Sequence, residues 1–175
     1  MKKIVFLSAF VLTSFLGCTP PEHEVPNLEN QALGLKYFDA VTKGDIGTMT
    51  DLLSDNFMQV GPGTKDSVSR PAMLVNWKQA WDQEYSSMSF DRYAILTKTV
   101  KEGRVAGNWV LDWGKLTMNY KNEKPSVTIW YHSAMRIKNG KIERQRIFFD
   151  VADVLTQQGY TFSLPAWDEA EEMKK

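Results

Sequence analysis

The tripeptide Phe148-Phe149-Asp150 sets a carboxylate at the end of an apolar run. A carboxyl group in such a setting has its pKa raised toward the range of proton transfer, which makes Asp150 the first candidate for an acid/base. Asp150 also precedes the segment Val151–Leu155, and a capping aspartate that accepts backbone N–H bonds is the structural alternative. His132 is a second candidate, because imidazole shuttles protons near neutral pH, although a lone histidine on a strand also serves structure or an interface. Tyr131 offers a phenolic donor and Arg146 an anion-binding guanidinium; an Arg146–Asp150 ion pair is the structural alternative and would lower the aspartate's pKa. Trp77, Trp109, Trp113 and Phe148 are candidate ligand walls, with core packing as the alternative for Trp109 and Trp113. The chain has two histidines, His23 and His132, so a zinc site is not expected. A glycine-rich phosphate loop and a nucleophile elbow are missing from the sequence, and no cofactor is expected.

These side chains depend on elements that the periodicity locates. Asn27 caps a helix to about Lys43, with Leu28, Ala32, Leu35 and Phe38 on one face, and Gly44 ends it. Asp45 caps a second, short helix. Phe57 to Val60 reads as a short strand before the Gly61-Pro62-Gly63 turn. Ser69 and Pro71 open a third helix whose stripe (Met73, Leu74, Trp77, Ala80, Trp81) runs toward Tyr85. The pattern then changes to strands: Met88 to Val100 with a phase slip at Arg92-Tyr93, Arg104 to Asn119, Ser126 to Lys138, and Lys141 to about Asp150. The plan is α+β, with three N-terminal helices on one face of an antiparallel sheet.

Asn139-Gly140 is a two-residue hairpin signal that pairs Lys138 with Lys141. An unbroken count outward puts Tyr131, Ser133, Met135 and Ile137 on one face with Ile142, Arg144, Arg146, Phe148 and Asp150. The other face then carries Trp130, His132, Ala134 and Arg136 with Glu143, Gln145, Ile147 and Phe149. The first set grades from packed core into a polar-lined pocket, and the second suits a sheet-to-sheet dimer.

The hairpin run Ile137 to Ile142, with Arg146-Ile147-Phe148-Phe149-Asp150 and Leu155-Thr156-Gln157-Gln158-Gly159, resembles the C-terminal signature of SnoaL-like proteins of the nuclear transport factor two-like superfamily. Tyr37-Phe38-Asp39-Ala40 followed by Gly44-Asp45 is similar to that superfamily's first helix and turn. The resemblance covers roughly Leu28 to Gly159. It implies a cone-shaped domain whose strongly curved sheet wraps a pocket, and a homodimer through the outer sheet face. It carries an acid/base role to Asp150, with Tyr131 or His132 assisting. Ketosteroid isomerases of the superfamily add an oxyanion hole with a second, protonated acid. None is expected here on the Asp150 face, because Asp112 falls opposite Trp113 in parity and Asp91 sits beside the phase slip.

At the N-terminus, Lys2 and Lys3 precede an apolar stretch from Ile4 to Leu16, shorter than the roughly 20 residues of a membrane span. Ser14-Phe15-Leu16-Gly17-Cys18 resembles a bacterial lipobox, so Cys18 is the expected lipidation site; an ordinary signal peptide with a nearby cysteine is the alternative. The expected organisation is a signal peptide over 1–17, lipidated Cys18 and a tether over 18–26, the domain over 27–162 and a polar tail over 163–175. That organisation implies a bacterial cell envelope protein, anchored at the outer membrane by lipid alone. The 21 basic and 21 acidic side chains supply no basic field, which argues against nucleic acid as a partner. The expected function is binding of a small hydrophobic or aromatic molecule. The alternatives are a cofactor-independent lyase, isomerase or cyclase using Asp150, and a protein-interaction module acting through an outer face that includes Trp130.

Overall fold

The computed structural model describes residues 25–163. The expected signal peptide, Cys18, most of the tether and nearly all of the polar tail lie outside the described residues.

Local chemistry sets the helix ends. In α1 (Leu28–Lys43) the Asn27 side chain accepts from the Asn30 N–H, and Gly44, at φ 64°, closes the helix on the carbonyls of Ala40 and Val41. In α2 (Ile46–Leu52) Asp45 accepts from the Thr48 N–H. The chain continues through β1 (Leu53–Val60), β2 (Ser67–Ser69), α3 (Arg70–Gln83), β3 (Tyr85–Val100), β4 (Gly107–Tyr120), β5 (Val127–Lys138), β6 (Lys141–Phe149) and α4 (Val151–Gln157). α4 sits against β5 because the Gln157 amide bonds both backbone groups of Thr128, each at 2.9 Å.

Several expectations need correction. The sheet is neither closed nor strongly curled, so the domain is not a cone. Its order is β2-β1-β6-β5-β4-β3, which leaves β2 and β3 at opposite edges of an open sheet. It is mixed rather than antiparallel, because β1 runs parallel to β6. The three N-terminal helices are present, and among the described residues a fourth, α4, follows β6.

The hairpin register also departs from the unbroken count. Lys138 pairs with Lys141 and Ile137 with Ile142, but the next pair is Arg136 with Arg144. Glu143 is therefore an extra residue in β6. One extra residue sends every later side chain to the opposite face. Gln145, Ile147 and Phe149 consequently turn inward toward the helices, while Arg144, Arg146 and Phe148 turn outward. The phase slip in β3 is present: Arg92 pairs with Gly114 and Ala94 with Trp113, which leaves Tyr93 unpaired.

The core lies between the helices and the inner sheet face, built from Tyr37, Phe38, Val41, Val110, Ile129 and Met135 among others. Gly34 lets α1 approach the sheet, since a Cβ there would stand 3.0 Å from both Met135 Cε and Val110 Cγ1. On the outer face, rings pack on one another within the chain. Tyr93 meets Trp130 at 4.9 Å, and His132 stands between Trp113 and Phe148 at 6.1 and 6.4 Å. The homodimer expected through this face is not borne out.

Candidate functional site

Between α1, α3, α4 and the inner sheet face lies a cavity of about 440 Å³, within the range of about 300–1,000 Å³ typical of small-molecule sites. Its wall is mainly apolar and aromatic, including Phe38, Trp77, Phe90, Leu116 and Ile129. The polar groups in the wall are the amides of Gln59, Asn76 and Gln145 and the phenols of Tyr37, Tyr85, Tyr120 and Tyr131. Among the described residues that line it there is no Asp, Glu, Lys, Arg or His. Burial raises the pKa of all four phenols, so they line the cavity as neutral groups.

Behind the Tyr131 wall sits a charged array. The Tyr131 hydroxyl donates to Oδ1 of Asp112 at 2.9 Å, and the Arg92 Nε donates to Oδ2 at 2.8 Å. Asp112 has no solvent exposure, and Arg92 retains 23%. Burial raises the Asp112 pKa, against the opposing pull of Arg92 and Tyr131. The Arg92 guanidinium lies 5.5 Å from the Phe38 ring centroid, a cation–π distance.

Backbone geometry builds this array. Arg92 keeps the inward parity of Met88 and Phe90 and stands opposite Gly114, and the unpaired Tyr93 that follows shifts the alternation so that Ile95 takes the place opposite Asp112. At Gly114 a Cβ would stand 2.2 Å from the Asp91 carbonyl oxygen, so only glycine admits this approach.

A second polar group reaches the same cavity. The Tyr37 hydroxyl donates to Gln145 Oε1 at 3.3 Å, and Gln145 Nε2 donates to Ser133 Oγ at 3.0 Å. Gln145 and Ser133 are buried at 2% and 0% exposure.

Of the residues singled out from sequence, Tyr131 and Trp77 line the cavity. Asp150 is an exposed N-cap of α4, its carboxylate accepting from the Ala152 N–H at 2.8 Å and the Asp153 N–H at 3.1 Å. The Glu143 bulge carries Arg146 and Phe148 to the outer face, where Phe148 pairs with His132. Trp109 and Trp113 are also on the outer face, because the buried positions of β4 are the even ones, from Val110 through Asp112 and Leu116 to Met118. Cys18 lies outside the described residues.

Sequence reasoning missed Asp112, Arg92, Tyr37 and Gln145 as a group. Asp112 had a readable signal: it shares parity with Val110, Gly114, Leu116 and Met118, an apolar set broken only by one carboxylate and one glycine. Tyr37 lies in an evident helix, but Gln145 turns inward only because of the bulge at Glu143.

Structures with the same fold include an LEH-like epoxide hydrolase from M. tuberculosis, 15% identical, with a TM-score of 0.61 over 77% of this chain and 89% of that one. An NTF2-like protein from Burkholderia xenovorans is 16% identical, with a TM-score of 0.56 over 75% and 97% of the two chains. TsrD from Streptomyces laurentii is 13% identical, with a TM-score of 0.56 over 78% and 98%. At such identities these likenesses concern the fold alone. No curated protein matches the chain. The SnoaL-like domain model, however, matches residues 35–145, which span α1 to the inward-facing Gln145 of β6, and on that match the chain belongs to the SnoaL-like family.

Proposed function

We propose that this domain is a cofactor-independent enzyme that takes a small, largely apolar molecule into its cavity and moves a proton on it, in an isomerase-, lyase- or cyclase-type step. The observation that carries this reading is the contact of Tyr131, part of the cavity wall, with the fully buried carboxylate of Asp112. In the forward step, Tyr131 Oη accepts a proton from the substrate while its own proton passes to Asp112 Oδ1. The Arg92 guanidinium holds the carboxylate in place, and the raised pKa of Asp112 suits it to receive that proton. Reversal of the relay returns a proton to a different substrate atom. That one structure of this fold is named an epoxide hydrolase is in keeping with catalysis here.

Solvent-deuterium exchange at the α-carbon of cyclic ketones such as 2-tetralone, followed by NMR, tests the relay without a known substrate. Exchange above background, abolished in Tyr131→Phe and reduced at least a hundredfold in Asp112→Asn, is the expected outcome. A second reading, binding without turnover, draws on Asp112 itself being absent from the cavity wall. Ketones that raise the melting temperature without exchanging would favour it.

A further inference from the structure

The cavity wall holds a hydroxyl that the protein serves poorly. Tyr37 is 2% exposed, yet its hydroxyl donates to Gln145 Oε1 at 3.3 Å and contacts Met73 Sδ at 3.8 Å. An O–H···O bond ordinarily measures about 2.7–2.8 Å, so neither contact is a strong one. A buried donor left under-bonded costs free energy, and an acceptor placed at normal distance recovers it. Beside it, the Gln145 amide gives one N–H to Ser133 at 3.0 Å and has a second N–H to offer. Tyr37 and Gln145 come from opposite walls of the cavity, α1 and β6, and meet at this point.

The rest of the lining restricts what brings the acceptor. Without a cationic side chain in the wall, a carboxylate or phosphate entering the cavity would lose its hydration and gain no counter-charge. Without an anionic one, an ammonium group fares no better. We infer that Tyr37 and Gln145 form a recognition point for a neutral hydrogen-bond acceptor, a carbonyl-type oxygen carried on an uncharged ring system. This inference rests on the cavity reading above, but it requires no turnover. It assigns Tyr37 and Gln145 to ligand selection and leaves proton transfer to Tyr131.

Three probes with one ring system test it: naphthalene, 2-acetonaphthone and 2-naphthoate, their dissociation constants measured by quenching of tryptophan fluorescence at pH 7.5. The expected result is that 2-acetonaphthone binds at least tenfold tighter than either of the others. Tyr37→Phe and Gln145→Leu should each bring the ketone to within threefold of naphthalene, with naphthalene's own affinity unchanged as proof of an intact cavity. Far-UV circular dichroism and urea midpoints establish that each variant is folded, and Gln145→Met replaces Gln145→Leu if the latter is not. Equal binding of ketone and naphthalene, or a ketone affinity unmoved in Tyr37→Phe, overturns the inference and leaves the cavity reading standing. Binding of 2-naphthoate as tight as that of the ketone overturns the uncharged class. Failure of all three to bind overturns the cavity reading itself, and the inference with it.

Discussion

Tyr131 and Asp112 are joined by a 2.9 Å hydrogen bond that leads from the cavity wall to a carboxylate with no solvent exposure. The two residues share the inner face on adjacent strands, so their alignment is set by sheet register rather than by a loop. A ligand in the cavity meets a phenol whose proton already has a destination. The carboxylate itself is kept from water and from the ligand's surface.

Asp112→Asn removes the anion beside Arg92 and leaves the guanidinium in a mostly buried site. Breaking a fully buried pair from one side costs about 3–5 kcal/mol, but Arg92 is partly exposed and burial already favours the neutral carboxyl over the anion, so the neutral amide should cost about 1–2 kcal/mol at pH 7. Urea unfolding with an unchanged m-value would report it. A loss under 1 kcal/mol would show that the pair contributes little beyond its own desolvation.

Acidity reads out the same carboxylate. Because burial raises the native pKa of Asp112, the native state binds this proton more tightly than the unfolded chain does. The group's contribution therefore grows as pH falls through the raised native pKa, is fully present below the unfolded value of about 3.9, and is lost as pH rises. The stability gap between wild type and Asp112→Asn should widen on going from pH 7 to pH 4.5. A gap that narrows on acidification would contradict the assignment.

Gly114→Ala should be among the most damaging single-methyl additions. Its Cβ would fall 2.2 Å from the Asp91 carbonyl oxygen and 2.9 Å from Arg92 Cα, and both are backbone atoms that cannot swing away. Overpacking ordinarily costs about 1–3 kcal/mol, and this position should reach the upper end. Gly103→Ala is the complementary control: its φ is positive, at 87°, as that of Gly114 is not, and nothing lies within 4 Å of the new methyl. Its left-handed backbone alone should cost about 1 kcal/mol. Thermal denaturation of the pair separates collision from backbone strain.

Asp150→Ala should weaken α4 and spare the proton relay. Loss of a capping aspartate costs about 0.5–2 kcal/mol, here the bonds to the Ala152 and Asp153 N–H groups. Deuterium exchange of bound ketones should stay within twofold of wild type. If exchange disappears while the fold survives, Asp150 takes part in the chemistry and the Tyr131–Asp112 assignment falls.

What could be read in advance divides along the range of the interactions involved. The caps at Asn27, Asp45 and Gly44 and the turn at Asn139-Gly140 are decided within a few residues, and all are legible. The slip at Tyr93 shows because apolar alternation breaks on either side of it. Glu143 gives no such sign: Lys141 to Asp150 mixes polar and apolar residues in both parities, so both phases look alike. β6 also pairs in parallel with β1, a contact between segments more than eighty residues apart that no local pattern announces. That one undetected residue moved Arg146 and Phe148 off the expected pocket face and brought Gln145 onto it. Asp112 escapes notice for a related reason: the large rings of Trp109 and Trp113 mark their own parity as the inner one, whether as pocket wall or as core, whereas the smaller even-numbered residues fill it.

The extra residue at Glu143 gives β6 one residue of slack. Its loss would close the ladder and keep Arg144 opposite Arg136 and Gln145 opposite Met135, so Gln145, Ile147 and Phe149 would still face the helices. A chain one residue shorter at this point would line the same uncharged cavity. Within a lineage, a three-nucleotide deletion at Glu143 would therefore be silent for the charge class of the ligand.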